Sequence, residues 1–535
     1  MSWFSSQSWA QWPRTRPNPT TARAAGREEF LWGVATSSDQ HEGGYNGRGE
    51  PQNNWSWAER DHQVDRTGEA ADFWRKAEED FERCRELGLN AFRLSLSWAR
   101  IQPATALGPM GEMLAPPPFD ETALRRYAEI LAKCRAAGLE PVVTLHHFTH
   151  PAWLGLDAWL DPRTIGHYLA YVEKTVGYLL EMMERDFQAA PPRFYITVNE
   201  PNMLATCHYL NGVFPTGPRR GPREALVCIS HLLEAHIGAY RAIHRLYREK
   251  AQKGSKAAEP MVSFNNYCSD LYWSDQGWLD LLFANARGVP RTRLFAYLWD
   301  QAWALEDAFL KERLPIRSRL RRWCGQVLKK LHHFVVYACS FDEAWARLLD
   351  LIYEEPAGTK APLDYISFDY YDPFVAHALR WPHWGDALPG QRKPFHERLL
   401  DSITNKWWDW RLLPEGLSFF VKILERFDLP ILIAENGMAN RSDADRHHGR
   451  RDNLLRSDYL RQHVRMVKKL KSEGWPLIGY MHWSLVDNYE WGTYAPRFGL
   501  YTVAREAVDF RGDNAGRTYA EEIAAARQQF AQGVK

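Results

Sequence analysis

Along the 535-residue chain, short runs rich in β-branched and aromatic residues alternate with longer stretches whose apolar positions recur every three to four residues. The short runs are FLWGVATS (30–37), AFRLSLSW (91–98), EPVVTLHHF (140–148), RFYITVNE (193–200), MVSFNNY (261–267), YISFDYY (365–371), ILIAEN (431–436) and PLIGYMHWS (476–484). Strands regularly separated by helices pair in parallel through crossover connections. AADFWRKAEEDFERCRELG is a representative spacer: Phe73, Ala77, Phe81 and Cys84 share one helical face, and Gly88 supplies a stop. Eight strand–helix units predict an α/β fold, a (β/α)8 TIM barrel, as a single domain over 29–530.

Polar residues are placed unevenly in these strands. The apolar body comes first and a chemically capable group arrives at or near the end: Gln40 after strand one, Arg93 in strand two, His147 after strand three, Asn199 and Glu200 at the end of strand four, Tyr371 after strand six, Glu435 in strand seven and Trp483 in strand eight. A parallel barrel carries its site on that rim. Taken singly these residues have ordinary readings: His147 as a structural histidine, Trp483 and Trp491 as core aromatics, Arg93 as an ion-pair partner, Asn199 as a helix cap. Taken together, they read as one site.

Three segments lie outside the repeating pattern. Residues 1–28, rich in Ser, Thr, Pro and Arg, are expected to be a loosely held extension, with Trp3, Trp9 and Trp12 available to dock, and 531–535 a short tail. The connection 268–364, between strands five and six, is too long for a plain crossover and is expected to be an enlarged helical insertion. Within it, 316–334 reads as an amphipathic helix, with Ile316, Leu320, Trp323, Val327, Leu331 and Phe334 on one face and Arg313, Arg317, Arg319, Arg321, Arg322, Lys329 and Lys330 loading the remainder. Such a helix can lie on a membrane surface. A helix capping the barrel rim with a solvated basic face is the favoured reading.

Composition narrows the function classes. Hydrophobic residues make up 45% of the chain and aromatics 13%, which excludes disorder as the main state. With 67 Lys+Arg against 66 Asp+Glu, the net charge of +1 provides no global field for binding nucleic acid. No run approaches the roughly 20 apolar residues of a membrane span, and the opening MSWFSSQSWAQWPRTRP has no signal pattern, so a cytoplasmic location is expected. The seven cysteines form no C-x-x-C motif or even-numbered framework and read as reduced. His146 and His147 are adjacent on a strand and so face opposite sides, and the pairs His332 with His333 and His447 with His448 likewise lack ligand spacing. No metal or cofactor is expected.

Glu200 in TVNEPN and Glu435 in IAENG carry the chemistry. A buried carboxylate at the end of an apolar strand costs several kcal/mol unless it is paired or used. Glycoside hydrolysis needs two carboxyl groups flanking one acetal, about 5 to 5.5 Å apart when one is a nucleophile and about 6.5 to 9.5 Å apart when water intervenes.

From about residue 29 to 530 the chain resembles glycoside hydrolase family 1, the β-glucosidase group, through several blocks in the family's order. These are FLWGVATSSDQHEGG, LGLNAFRLSLSWARI, TLHHFTHPAWL, TVNEPN, IAENG and GYMHWSLVDNYEWGTYAPRFGLY. The resemblance implies a retaining β-glycosidase acting on terminal β-D-glucosides, with galactosides or fucosides as co-substrates, through a covalent glycosyl-enzyme. Glu435 is then the nucleophile, Glu200 the general acid/base, and Arg93 and Tyr371 the groups that keep Glu435 ionised and oriented. Gln40, His147, Asn199, Trp483, Glu490 and Trp491 become the sugar-holding set. Retention of Glu490 implies a glycone without a phosphate. Ala434 replaces the family's usual threonine and Asp369 its usual asparagine. A transglycosylase using the same glutamates and a catalytically silent sugar-binding relative remain as alternatives. Oligomeric state is left open.

Overall fold

The computed structural model describes residues 16–26, 29–104, 112–255, 257–311, 343–374, 410–443, 446–448, 453–510 and 513–533, with positions 323, 327, 329–332, 334–336 and 338. Eight parallel strands close a barrel: β1 (Leu31–Ala35), β2 (Ala91–Ser95), β3 (Glu140–Thr144), β4 (Phe194–Asn199), β5 (Met261–Tyr267), β6 (Ile366–Asp369), β7 (Ile431–Asn436) and β8 (Leu477–Trp483). Each lies within a run read from the sequence. Closure is through β1, which pairs with β8 at Ala35 and Trp483 and with β2 at Ala35 and Arg93.

The two-residue period of each strand divides the core. Leu31, Ala35, Ala91, Val142, Ile196, Leu432, Ala434 and Met481 belong to a cluster inside the barrel. Trp32, Val34, Phe92, Leu94, Val143, Tyr195, Ile433 and Tyr480 belong to the larger layer between strands and helices. Helix Phe73–Glu86 presents the expected face: Phe73 stacks on Phe92 with ring centroids 5.6 Å apart, and Phe81 meets the same ring edge-on at 5.1 Å. Gly88, at φ +70°, adopts the left-handed geometry that ends this helix. The next helix, Glu121–Ala136, is capped by Asp120, whose side chain accepts from Thr122 N and Ala123 N.

Of the amino-terminal extension, 16–26 is described, and Trp3, Trp9 and Trp12 lie outside the described residues. Helix Pro19–Gly26 is tied down where Asn18 N donates to Glu425 Oε1 at 2.6 Å and Asn18 Nδ2 to Asp428 Oδ1 at 2.7 Å. At the other end, helix Ala515–Gly533 runs into the segment read as a tail. Cys84, Cys134, Cys207, Cys228 and Cys268 are buried and form no disulfide with one another.

The insertion between β5 and β6 contains helices Gln276–Phe283, Leu294–Lys311 and Glu343–Ile352. Most of the proposed 316–334 helix, including all its arginines, lies outside the described residues. Leu331 and Val336 place the segment over a cavity at the rim, but its faces are turned otherwise than expected. Trp323, Val327, Leu331 and Phe334, the expected packing face, are exposed. Lys329, from the expected solvated face, is buried between Asp270 and Glu306, each at 3.3 Å, with its ammonium 4.0 Å from the Phe309 ring centre. Two anions and an aromatic face offset the desolvation of that one cation, and this turns the apolar stripe outward.

Candidate active site

Every residue read from the sequence as a site candidate reaches the carboxyl-terminal rim of the barrel. Strand pairing places Asn199 beside Asn265, Tyr267 beside Asp369, and Asp369 beside Glu435. The β4–β5 and β6–β7 ladders each slip in register at this level, between Ile196 and Asn199 and between Phe368 and Asp369. Such irregularities re-aim side chains, here from four neighbouring strands toward one point.

Glu435 is held from two sides. Arg93 Nη1 donates to its Oε1 at 2.5 Å and Tyr371 OH to its Oε2 at 2.8 Å. The guanidinium, fully buried, also donates to Asn199 Oδ1 at 2.5 Å, Thr144 Oγ1 at 3.2 Å and Ala434 O at 3.2 Å. Gly437, two residues on, admits no side chain: a Cβ there would sit 2.1 Å from Trp483 O.

Glu200 follows β4 with φ +39°, a left-handed conformation that costs a non-glycine residue about 1–3 kcal/mol. It stands at the N-cap of helix Pro201–Ala205, yet its side chain caps nothing. Its amide instead donates to Asn265 O at 2.6 Å, which leaves the carboxyl group directed elsewhere.

One carboxylate oxygen from each of Glu200, Asp369 and Glu435 lies within 4.8 Å of the others. Burial raises all three acidities' pKa values, Glu435 least, because Arg93 and Tyr371 stabilise its anion. Asp369 is pushed well above the carboxylate range by burial and by Glu435, with Arg93 opposing. Glu200 is pushed well above it by burial, then by Asp369 and Glu435. The cluster therefore binds protons jointly, with Glu435 the first to ionise. Three such oxygens can in principle hold a cation, but both Glu435 oxygens already accept from Arg93 and Tyr371, and Asp369 Oδ2 accepts from Asn265 Nδ2. The fixed positive charge here is the guanidinium.

A cavity of about 450 Å³ opens above the cluster, and Gln40, His147, Glu490, Trp483 and Trp491 line it together with Glu200 and Glu435. Gln40 Nε2 donates to Glu490 Oε2 at 2.9 Å, while Ser37 Oγ holds the Gln40 carbonyl at 2.6 Å. Glu490 is pushed up to about 8 by burial and then by Glu435. His147 stacks on Trp483 at 5.8 Å, and burial and Arg93 drive its pKa well down, so the ring is neutral. Its Nδ1 meets no hydrogen-bond partner among the described residues. Trp491 packs edge-on against Phe214 at 5.0 Å.

Asn265 was not singled out by sequence, although it joins Asn199 Oδ1 at 2.7 Å to Asp369. The signal was present: strand five also ends in polar residues, Asn265 and Asn266. Tyr267, stacked on Tyr371 at 6.1 Å, and Trp410, 4.6 Å from it, complete this wall.

Comparison with known proteins shows the family and the fold. The sequence profile described as glycosyl hydrolase family 1 matches residues 23–268 and 321–528, leaving out the first half of the insertion. A β-galactosidase of Pyrococcus woesei is 26% identical over 532 residues, covering 89% of this chain and 92% of the relative. A 6-phospho-β-galactosidase of Clostridium acetobutylicum is 24% identical, covering 91% and 93%. Among solved structures, a β-glucosidase from Thermotoga maritima in complex with noeuromycin superposes with TM-score 0.62 at 21% identity, covering 93% of this chain and 98% of that one. A β-glycosidase from Pyrococcus horikoshii gives 0.57 at 22%, covering 96% and 95%.

Proposed function

The chain belongs to glycosyl hydrolase family 1, and from that premise we propose that it is a retaining β-glycosidase releasing terminal non-reducing β-D-glucosyl groups, with Glu435 as nucleophile and Glu200 as general acid/base. The observation that carries this reading is the approach of Glu200 and Glu435 oxygens within 4.8 Å at the floor of the cavity. Oxygens this close accord with the shorter carboxyl separation of a nucleophile and its partner rather than the wider one of inversion, which supports retention.

The protonation order fits the roles. Glu435, ionised and oriented by Arg93 and Tyr371, attacks the anomeric carbon and forms an ester. Glu200 gives its proton to the glycosidic oxygen as that bond breaks. Esterification removes the charge of Glu435, so the Glu200 anion becomes easier to sustain. It then takes a proton from water, whose oxygen attacks the same carbon and frees Glu435. Gln40 and Glu490 form a hydrogen-bonded pair suited to neighbouring sugar hydroxyls, and neutral His147 offers a ring nitrogen to another. Trp483 offers an apolar face to the ring's C–H groups.

The relatives' names leave both galactosides and phosphorylated glycosides to be weighed. No lysine or arginine lines the cavity among the described residues, so nothing there balances a phosphate dianion. This supports an unmodified glycone, glucose first and galactose as co-substrate. The test is proton NMR of the first-formed sugar from a β-glucoside. The β-anomer is expected, and turnover should vanish in Glu435→Ala. First release of the α-anomer, or undiminished turnover in that variant, would overturn the assignment.

A further inference from the structure

From the outer half of the cavity we infer that the natural aglycone is a long aliphatic chain, so that the substrates are amphiphilic β-glycosides rather than oligosaccharides. This rests on the glycosidase reading above and extends it to the leaving group.

The cavity is polar at its floor and mainly apolar above. Leu210, Leu226, Ile229, Leu271, Leu331 and Val336 line the outer wall, contributed by the connections after β4 and β5, helix Pro222–Gln252 and the insertion. Asp372, the one acidic group there among the described residues, already accepts from Arg411 N at 3.2 Å. A second sugar would bring a hydroxyl on nearly every carbon against a wall in which polar side chains, among them Asn202, Thr206, Ser269, Ser274 and His332, are outnumbered by apolar ones, and most of its hydroxyls would lose their water without replacement. A chain of methylenes meets the opposite situation, since every one buried is removed from water.

The wall does not stop at the mouth. Leu331 lines the cavity and is still 56% exposed. It continues outward into Trp323, Val327 and Phe334, spaced four, four and three residues along the same helical face, with Phe334 66% exposed. Trp299 and Trp303, 46% and 43% exposed, border a shallower groove that shares Trp273 and His332 with the cavity. An exposed apolar stripe continuous with a substrate pocket marks where apolar substrate enters. The insertion supplies this surface; Trp299 and Trp303 fall in residues 269–320, outside the family match, while the stripe from Trp323 to Phe334 falls inside it.

The test is a homologous series of methyl, butyl, hexyl and octyl β-D-glucosides and β-D-galactosides, each kept below its micelle concentration, with cellobiose alongside. kcat/KM is expected to rise about two- to four-fold per added methylene until the chain outgrows the wall, and octyl glucoside to exceed cellobiose at least a hundred-fold. In the double variant Leu210→Asp with Leu331→Asp, both exposed positions, the slope should flatten, each protein's series being referred to its own methyl glucoside value. A flat series in the unaltered protein, or preference for cellobiose, overturns the inference and leaves the glycosidase reading standing. Failure to cleave any of these glycosides, methyl included, overturns both.

Discussion

Asp369→Asn tests the proton arrangement most directly, because it removes one charge from the cluster and almost no volume. Asp369 and Glu200 present oxygens within 4.8 Å of each other, both fully buried. Two unit charges at that separation repel by about 3.5 kcal/mol at an effective dielectric constant of about 20. The pair shares a proton over part of the titration, which reduces the effect; at about 1.4 kcal/mol per pH unit, the shift read in a pH profile is between about one and two and a half units. The sign follows from the roles. Glu200 must carry its proton to act as acid, the Asp369 anion makes that proton harder to lose, and an amide both removes the repulsion and can donate to the Glu200 anion. The alkaline limb of kcat/KM should therefore move to lower pH. The acid limb reports Glu435, which keeps its charge at a pH where Asp369 is already neutral, so it should stay in place. The assay is kcat/KM for p-nitrophenyl β-glucoside across pH, with thermal unfolding run in parallel. An alkaline limb that stays fixed or moves upward in a folded variant refutes the reasoning, as does a shift confined to the acid limb.

Tyr371→Phe deletes the 2.8 Å hydrogen bond to Glu435 Oε2; a bond to a charged group is worth about 1.5–3 kcal/mol, so kcat/KM should fall roughly 10- to 150-fold with the acid limb moving up. Steady-state kinetics over pH 4 to pH 7 would read this, and an unchanged acid limb would remove Tyr371 from the role of stabilising that anion. A 6-phospho-β-glucoside should be cleaved at least a hundred-fold more slowly than its unphosphorylated counterpart, because no cation lines the cavity among the described residues. Comparable kcat/KM values for the two would reverse the assignment of the glycone. Asp120→Ala, far from the chemistry, removes the two capping bonds of helix Glu121–Ala136 and should lower stability by about 1 kcal/mol in denaturant unfolding, with kcat unchanged.

The barrel was legible because its determinants are local and repeated. Eight apolar runs of strand length, separated by helices with a clear buried face, leave few alternatives, and Phe73, Ala77, Phe81 and Cys84 are all buried as their spacing requires. The same regularity put the candidate residues on one rim, since parallel strands all end on the same side. Asn265 escaped notice because a single asparagine at a strand end has no distinctive pattern; it becomes informative only beside Asn199 and Asp369, 66 and 104 positions away in the chain. The insertion was misread in one respect. Helical spacing identifies which residues share a face, but the direction of that face depends on what stands opposite, and Asp270 and Glu306 drew Lys329 inward.

The order of residues along the chain thus determined the eightfold alternation, the family blocks and the identity of two glutamates at strand ends, all properties of local period and residue type. Only the tertiary structure decided that the Glu200, Asp369 and Glu435 oxygens lie within 4.8 Å, that Arg93 and Tyr371 divide the two oxygens of Glu435 between them, and that a mainly apolar wall rises above the floor. These depend on strand register, on slips of one residue in the ladders and on loops from distant segments meeting. Electrostatic coupling falls with distance, so proton affinities belong to the assembled cluster and to none of its members alone.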